Sequence, residues 1–167
     1  LRRLRRIMLT SCGTAYHAWM VGKYLIEFFA HVPCEVDLAS EFRYRDPMLE
    51  PDTLVMTVTQ SGETADTLAA LREAQSRGLR VISICNVVGS SIARESDGVV
   101  YQHAGPEIGV ASTKAYTSQV TCFILFALYL GRLRGSLEHS GIDEVTRELR
   151  ALPGHIECCV RPVAEWV

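Results

Sequence analysis

The stretch from Leu54 to Thr67, LVMTVTQSGETADT, constrains the fold more than any other: an apolar strand breaks abruptly into a polar, glycine-centred turn and then a helix. The run Leu54, Val55, Met56, Thr57, Val58 is apolar and β-branched, as suits a strand buried on both faces of a parallel sheet. It stops at Thr59, Gln60, Ser61, Gly62, Glu63 and Thr64, which crowd donors into the place where a helix begins. Helix N-termini attract anions, because unpaired N–H groups and the positive dipole end point the same way. The competing reading is a plain helix cap, with Ser61 or Thr64 as N-cap and Glu63 favourable near the helix start. The stretch lacks the lysine and the wider glycine spacing of a nucleotide P-loop, which argues for a monophosphate on a small molecule rather than a nucleoside triphosphate.

On either side, strands and helices alternate. Ile7–Leu9 reads as a short strand ending in the turn Thr10, Ser11, Cys12, Gly13, Thr14. A helix from Thr14 to about His31 follows, with Ala15, Ala18, Trp19, Gly22, Leu25, Ile26 and Phe29 at helical spacing and Pro33 as its stop. Cys34–Leu38 alternates like a strand near a sheet edge, and Glu41–Pro51 reads as irregular. After Thr64 the stripe Ala65, Leu68, Leu71, Ala74 predicts a helix closed by Gly78. Arg80–Cys85 is a further strand, Ile92–Ser96 a helical turn, and Gly98–Tyr101 a last short strand. A helix capped by Ser112 or Thr113 runs to about Leu133, and another from Ile142 to about Leu152 precedes Pro153. This order predicts an α/β three-layer sandwich, with a five-stranded parallel sheet, right-handed crossovers and helices on both faces.

The 167 residues suit one domain with a substantial core. A net charge of −2 offers nucleic acid no general attraction, and the opening LRRLRR reads as the end of a preceding linker or helix. The six cysteines lie mostly in apolar segments and form no Cys-x-x-Cys pair, so neither zinc nor a redox dithiol is expected. Scattered thiols with no secretory signal before them point to the cytoplasm. The apolar run Val120–Leu130 is shorter than the roughly 20 residues a bilayer span requires. It reads as a core helix, and no membrane partner is expected.

In an open parallel sheet, ligands bind beyond the carboxyl ends of the strands, where the strand order reverses. Three loops fall at that end, Ser11–Thr14, Thr59–Thr64 and Gly109–Thr113, each combining glycine with small hydroxyls. Glycine lets backbone approach a ligand, and hydroxyls donate to phosphate or sugar oxygens without adding charge. The pattern suits a phosphosugar. Acid–base groups are scarcer: Glu63 suits dipole complementation, His17 packing or surface, Glu107 and Lys114 solvation, and Cys12 a buried thiol with no histidine placed to activate it.

The segments SCGTAYH at 11–17, ASEFRYR at 39–45, QSGETADTL at 60–68, ICNVVGSSIARESD at 84–97 and GPEIGVASTKAYTSQ at 105–119 resemble glutamine–fructose-6-phosphate aminotransferase, also called glucosamine-6-phosphate synthase. The resemblance is to its first sugar-isomerase (SIS) subdomain and covers about residues 7 to 153. It implies a flavodoxin-like SIS fold, with 1–6 a linker remnant, 7–135 the phosphosugar-binding domain, and 136–167 a helix and linker toward a second SIS subdomain. It also implies that Thr59, Gln60, Ser61 and Thr64 hold the sugar phosphate and that Thr14, Val110, Ala111 and Ser112 line the sugar. Ala15 stands where the family's first loop commonly carries serine.

The family enzyme makes glucosamine 6-phosphate and glutamate from fructose 6-phosphate and glutamine. Its partners would be a glutaminase domain, a second SIS subdomain and a second copy in a homodimer, with no metal or organic cofactor. The family's catalytic glutamate, histidine and lysine belong to the second subdomain and C-terminal tail, so no catalytic residue is expected in these 167 residues. Two other readings stay open: a non-enzymatic sugar-phosphate sensor, and a small phosphosugar isomerase drawing its acid and base from Glu63, His17 or a dimer mate.

Overall fold

The computed structural model describes residues 1–164. Its elements are β1 (Arg6–Ser11), α1 (Thr14–Ala30), β2 (Cys34–Leu38), α2 (Ala39–Phe42), β3 (Thr53–Thr59), α3 (Ala65–Ser76), β4 (Arg80–Cys85), α4 (Ser91–Glu95), β5 (Gly98–Tyr101), α5 (Lys114–Arg134) and α6 (His139–Ala164). The five strands form one sheet in the order β2-β1-β3-β4-β5, and every pairing is parallel. β3 is central and all seven of its residues are buried, as an apolar run without alternation requires. β2 lies at the edge, where its mixed pattern belongs.

Strand side chains alternate between two cores. Ile7, Leu9, Leu54, Met56 and Val58 pack with Trp19, Ile26 and Phe123 of α1 and α5. Met8, Val55 and Val81 face the other way, against Phe42, Ala70, Leu71 and Ile92 of α2, α3 and α4. The α1–α5 contact is close: the Trp19 and Phe123 ring centroids are 4.3 Å apart. A Cβ on Gly22 would stand 2.7 Å from the Phe123 ring, so glycine is what admits the ring there. The α3 end is a Schellman turn, with Leu79 N–H on the Ala74 carbonyl, Gly78 N–H on the Gln75 carbonyl, and Gly78 at φ +76°.

Several expectations need correction. β1 extends from Arg6 to Ser11, so Thr10 and Ser11 are strand rather than turn. The strand tolerates Ser11 because its buried hydroxyl donates to the Val58 carbonyl at 2.8 Å, whereas the buried Thr10 hydroxyl has no partner among the described residues. Thr59 likewise ends β3 instead of opening the loop. The irregular segment begins with the short helix α2, which inserts the fully buried Phe42 into the second core. In α3 the expected Leu71 and Ala74 are buried and Leu68 packs against the core, but Thr67 and Ala70 complete the buried stripe and Ala65 is exposed at the helix start. α1 stops at Ala30 because His31 turns left-handed at φ 51°, ahead of Pro33. α4 sits one residue earlier than expected, at Ser91–Glu95. α6 runs from His139 through Pro153 instead of ending at Leu152. Proline removes one helix donor, and α6 is exposed around it, so the carbonyl it would have served faces water.

Candidate functional site

Three helices begin around one cavity at the carboxyl ends of β1 and β3. It encloses about 270 Å³ and is walled by the first loop (Cys12, Gly13, Thr14), the β3–α3 loop (Thr59, Gln60, Ser61, Thr64) and the loop before α5 (Glu107, Val110, Ser112). That volume is close to the lower bound of roughly 300 Å³ for small-ligand sites. A larger hollow of about 630 Å³, walled in part by Leu4, Thr53 and Arg80, lies at the opposite end of the sheet. Parallel sheets place ligands at the carboxyl end, so the smaller cavity is the candidate.

The N-cap residues of the three helices, Gly13, Thr64 and Thr113, make no side-chain cap hydrogen bond. Of the two cap candidates in the Ser-Gly turn, Thr64 is the N-cap position of α3 but makes no side-chain cap bond, and Ser61 lies outside the helix and accepts the Glu63 amide. The starts of α1 and α3 turn their positive dipole ends to this space, and the start of α5 beside it is already occupied by the Glu107 carboxylate. No lysine or arginine is among the described residues that line it. An anion placed there would be held by neutral donors.

The β3–α3 loop is braced from beneath. Gly62 N–H donates to the Thr59 hydroxyl at 3.0 Å, Glu63 N–H to the Ser61 hydroxyl at 3.2 Å, and the Gln102 amide to the Thr59 carbonyl at 3.1 Å. Gly62 has φ +72°, and a Cβ there would fall 2.0 Å from the Ser90 hydroxyl oxygen. Only glycine lets the loop sit on Ser90. Glu63 points away from the cavity and accepts the Ser91 amide at 2.8 Å at the start of α4. That backbone hydrogen bond holds its carboxyl below the ordinary value. Glu63 thus complements a helix, but α4 rather than α3.

Glu107 is not the solvated side chain expected. Its carboxylate accepts the Ser112 hydroxyl at 2.7 Å and both the Thr113 amide and hydroxyl at 3.0 Å. The Ser112 hydroxyl first, then the Thr113 amide, lower its pKa to about 2. It supplies the cap that the Thr113 side chain does not, and shows that the start of α5 can hold a carboxylate.

Of the residues singled out by sequence, Thr14, Thr59, Gln60, Ser61, Thr64, Val110 and Ser112 line the cavity, whereas Ala111 is exposed and outside its wall. Cys12 lines it at intermediate burial rather than as a buried thiol. His17 and Lys114 are exposed and take no part in the wall. Sequence reasoning missed Thr67 and Gln119, both 1% exposed and both lining the cavity. Thr67 is a polar residue beside the apolar stripe expected for α3, and Gln119 is polar at the head of the apolar run that follows it, so neither stands out in an apolar pattern. Among the described residues there is no cluster of acidic, histidine or cysteine side chains able to hold a metal ion. No described helix is long and apolar enough to cross a membrane.

The SIS domain family matches residues 1–129. The chain is 51% identical over 160 residues to the glutamine–fructose-6-phosphate aminotransferase (isomerizing) of Clostridium tetani, covering 96% of this chain and 26% of that protein. It is 53% identical over 157 residues to the enzyme of the same name from Streptomyces coelicolor, covering 94% of this chain and 26% of that one. The chain therefore spans about a quarter of the length of these relatives. Among solved structures, the C-terminal domain of glucosamine-fructose-6-phosphate aminotransferase from Francisella tularensis superposes with a TM-score of 0.86 at 45% identity, covering 89% of this chain and 42% of that one.

Proposed function

The chain belongs to the SIS domain family, and from that premise we propose that it binds the hexose phosphate of a glutamine–fructose-6-phosphate aminotransferase. That enzyme would make glucosamine 6-phosphate from fructose 6-phosphate and glutamine. The observation that carries this reading is the convergence of three helix starts and their hydroxyls, without a cation, on one cavity of about 270 Å³. In this reading Thr59, Gln60, Ser61 and Thr64 hold the phosphate, with the first-turn amides of α3 and the α3 dipole behind them. Thr14, Val110 and Ser112 line the sugar, and Ala111 would join them through a shift of its loop.

The cavity offers binding without chemistry. Glu63 is spent on α4 and Glu107 on α5, and both are held as carboxylates. Neither is poised as a base near neutral pH. Residues 7–135 would form the phosphosugar-binding unit, 1–6 a linker remnant, and 136–167 a connection toward a second SIS subdomain, which with a glutaminase domain would supply the transfer reaction. Pairing of two copies is supported by the exposed apolar line Met20, Tyr24 and Phe28 on α1. A cytoplasmic location fits the buried thiols of Cys34, Cys85 and Cys122.

Calorimetric titration of the chain with fructose 6-phosphate, with product assayed in parallel, tests the reading. Saturable heat without glucosamine 6-phosphate formation, from ammonia or from glutamine, is the expected outcome. No saturable heat at millimolar sugar phosphate would overturn the binding role, and product formation would overturn the assignment of chemistry to residues outside this chain.

A further inference from the structure

Gln119 occupies a core position of α5. Its neighbours on that helix face, Ala115, Cys122, Phe123 and Phe126, are buried and apolar, and it is itself 1% exposed. An apolar side chain would continue the stripe. Instead the position carries a carboxamide whose Oε1 is buried and has no hydrogen-bond partner in the structure. A buried acceptor without a donor costs free energy that an isosteric apolar group would avoid. Gln119 also lines the candidate cavity. The residue that carries the unmet acceptor is thus also one that a ligand in the cavity would meet.

The kind of donor follows from chemistry and position. The monoester phosphate of a sugar phosphate, with a second pKa of about 6, is mostly a dianion near neutral pH and has no O–H left to donate to a carbonyl oxygen, whereas every sugar hydroxyl carries a proton to donate. The phosphate cradle is built on α3, which packs on the sheet face holding Met8 and Val55. α5 packs on the opposite face, against Ile7, Met56 and Val58. Gln119 thus approaches the cavity from the side away from α3, where the sugar rather than its phosphate would lie.

We propose that Gln119 is a sugar-binding residue whose Oε1 accepts a hydrogen bond from a hydroxyl of the bound hexose phosphate. This rests on the phosphosugar reading of the cavity. It makes Gln119 a selector for a hydroxylated ligand over a bare phosphate.

The test compares the 167-residue chain with its Gln119→Met variant, which keeps the length of the side chain and removes the acceptor. Each is titrated with fructose 6-phosphate and, separately, with inorganic phosphate. The expected result is about a tenfold weaker fructose 6-phosphate affinity in Q119M, the loss of one neutral hydrogen bond. Inorganic phosphate affinity stays unchanged and thermal stability is equal or higher, because an unmet buried acceptor has gone. Equal fructose 6-phosphate affinity in the two proteins would overturn the role of Gln119 while leaving the phosphosugar reading intact. Failure of the unaltered chain to bind fructose 6-phosphate would overturn both. Should Q119M not fold, the side-chain amide resonance of Gln119 in the unaltered protein decides. It should move on addition of fructose 6-phosphate and not of inorganic phosphate, and a resonance indifferent to the sugar would overturn the proposal.

Discussion

The backbone amide of Ser112 donates to the hydroxyl of Thr14 at 3.3 Å, across a sequence separation of 98 residues. This bond joins the loop before α5 to the loop after β1, so the two sides of the cavity are not independent. Thr14 accepts there and keeps its own proton for a ligand, while the Ser112 hydroxyl is turned onto Glu107. A sugar reaching Ser112 must share that hydroxyl with Glu107 or displace it. In the proposed reading, the side built by the braced β3–α3 loop is pre-formed and the side built by Ser112 is adjustable.

Ser61→Ala tests the phosphate end. The Ser61 hydroxyl accepts one exposed amide, that of Glu63, at 3.2 Å, so its loss should cost stability less than about 1 kcal/mol. A hydrogen bond to a charged phosphate contributes roughly 1.5–3 kcal/mol, which is roughly a tenfold to hundredfold weakening of fructose 6-phosphate binding. Calorimetry and thermal melts on the same samples separate the two effects. Unchanged affinity would remove Ser61 from the site.

Gly62→Ala should unseat the whole loop. At φ +72° with a Cβ 2.0 Å from the Ser90 hydroxyl oxygen and 2.4 Å from its Cβ, alanine combines a disfavoured backbone with an overlap against a buried side chain. The expected destabilisation is about 2–4 kcal/mol in urea unfolding, accompanied by loss of phosphosugar binding. A variant as stable as the parent would show that the loop does not rest on Ser90.

Glu107 should titrate far below an ordinary carboxyl. Its folded pKa of about 2 lies below the ordinary 4.5, so its contribution is complete above pH 4.5 and is lost as pH falls toward 2. The carboxyl carbon resonance of Glu107 should have its midpoint near 2, and Glu107→Gln should abolish that titration and loosen Ser112 and Thr113. A midpoint near 4.5 would mean that the three contacts are not held in solution.

Cys34 gives the opposite sign. Burial first, then the nearby Glu27 charge, pushes its thiol up from 9.0 to about 12. The unfolded chain ionises first, so the Cys34 contribution is complete below pH 9.0 and is lost between 9.0 and about 12. At pH 8 a bulky thiol reagent should modify the exposed Cys158 and Cys159 at once and Cys34 only on unfolding. Cys34→Ala should flatten the alkaline decline in stability. Rapid native-state labelling of Cys34 would contradict its burial.

Much of the fold could be read in advance because it depends on local pattern. The β3 run, the edge character of β2, the glycine stop at Gly78 and the three hydroxyl-rich loops all follow from neighbours along the chain. The misreadings share a cause. Thr10, Ser11 and Thr59 look like turn residues, and become strand because their backbones pair with neighbouring strands, with Ser11 also donating to the Val58 carbonyl. In α3 the expected Leu71 and Ala74 are buried, but Thr67 rather than Ala65 is buried at the helix start.

By itself, then, the sequence determined the alternation of strands and helices, the central buried strand and the composition of the loops, since strand and helix periodicity and turn chemistry act over a few residues. Tertiary structure alone decided that Glu107 closes on Ser112 and Thr113, that Glu63 serves α4, that Ala111 stands outside the cavity, and that Gln119 and Thr67 reach it from opposite faces of the sheet. Those facts depend on which donor or acceptor a side chain finds across the fold. A buried polar atom acquires its meaning from the partner it has or lacks, and that partner lies far away in the chain.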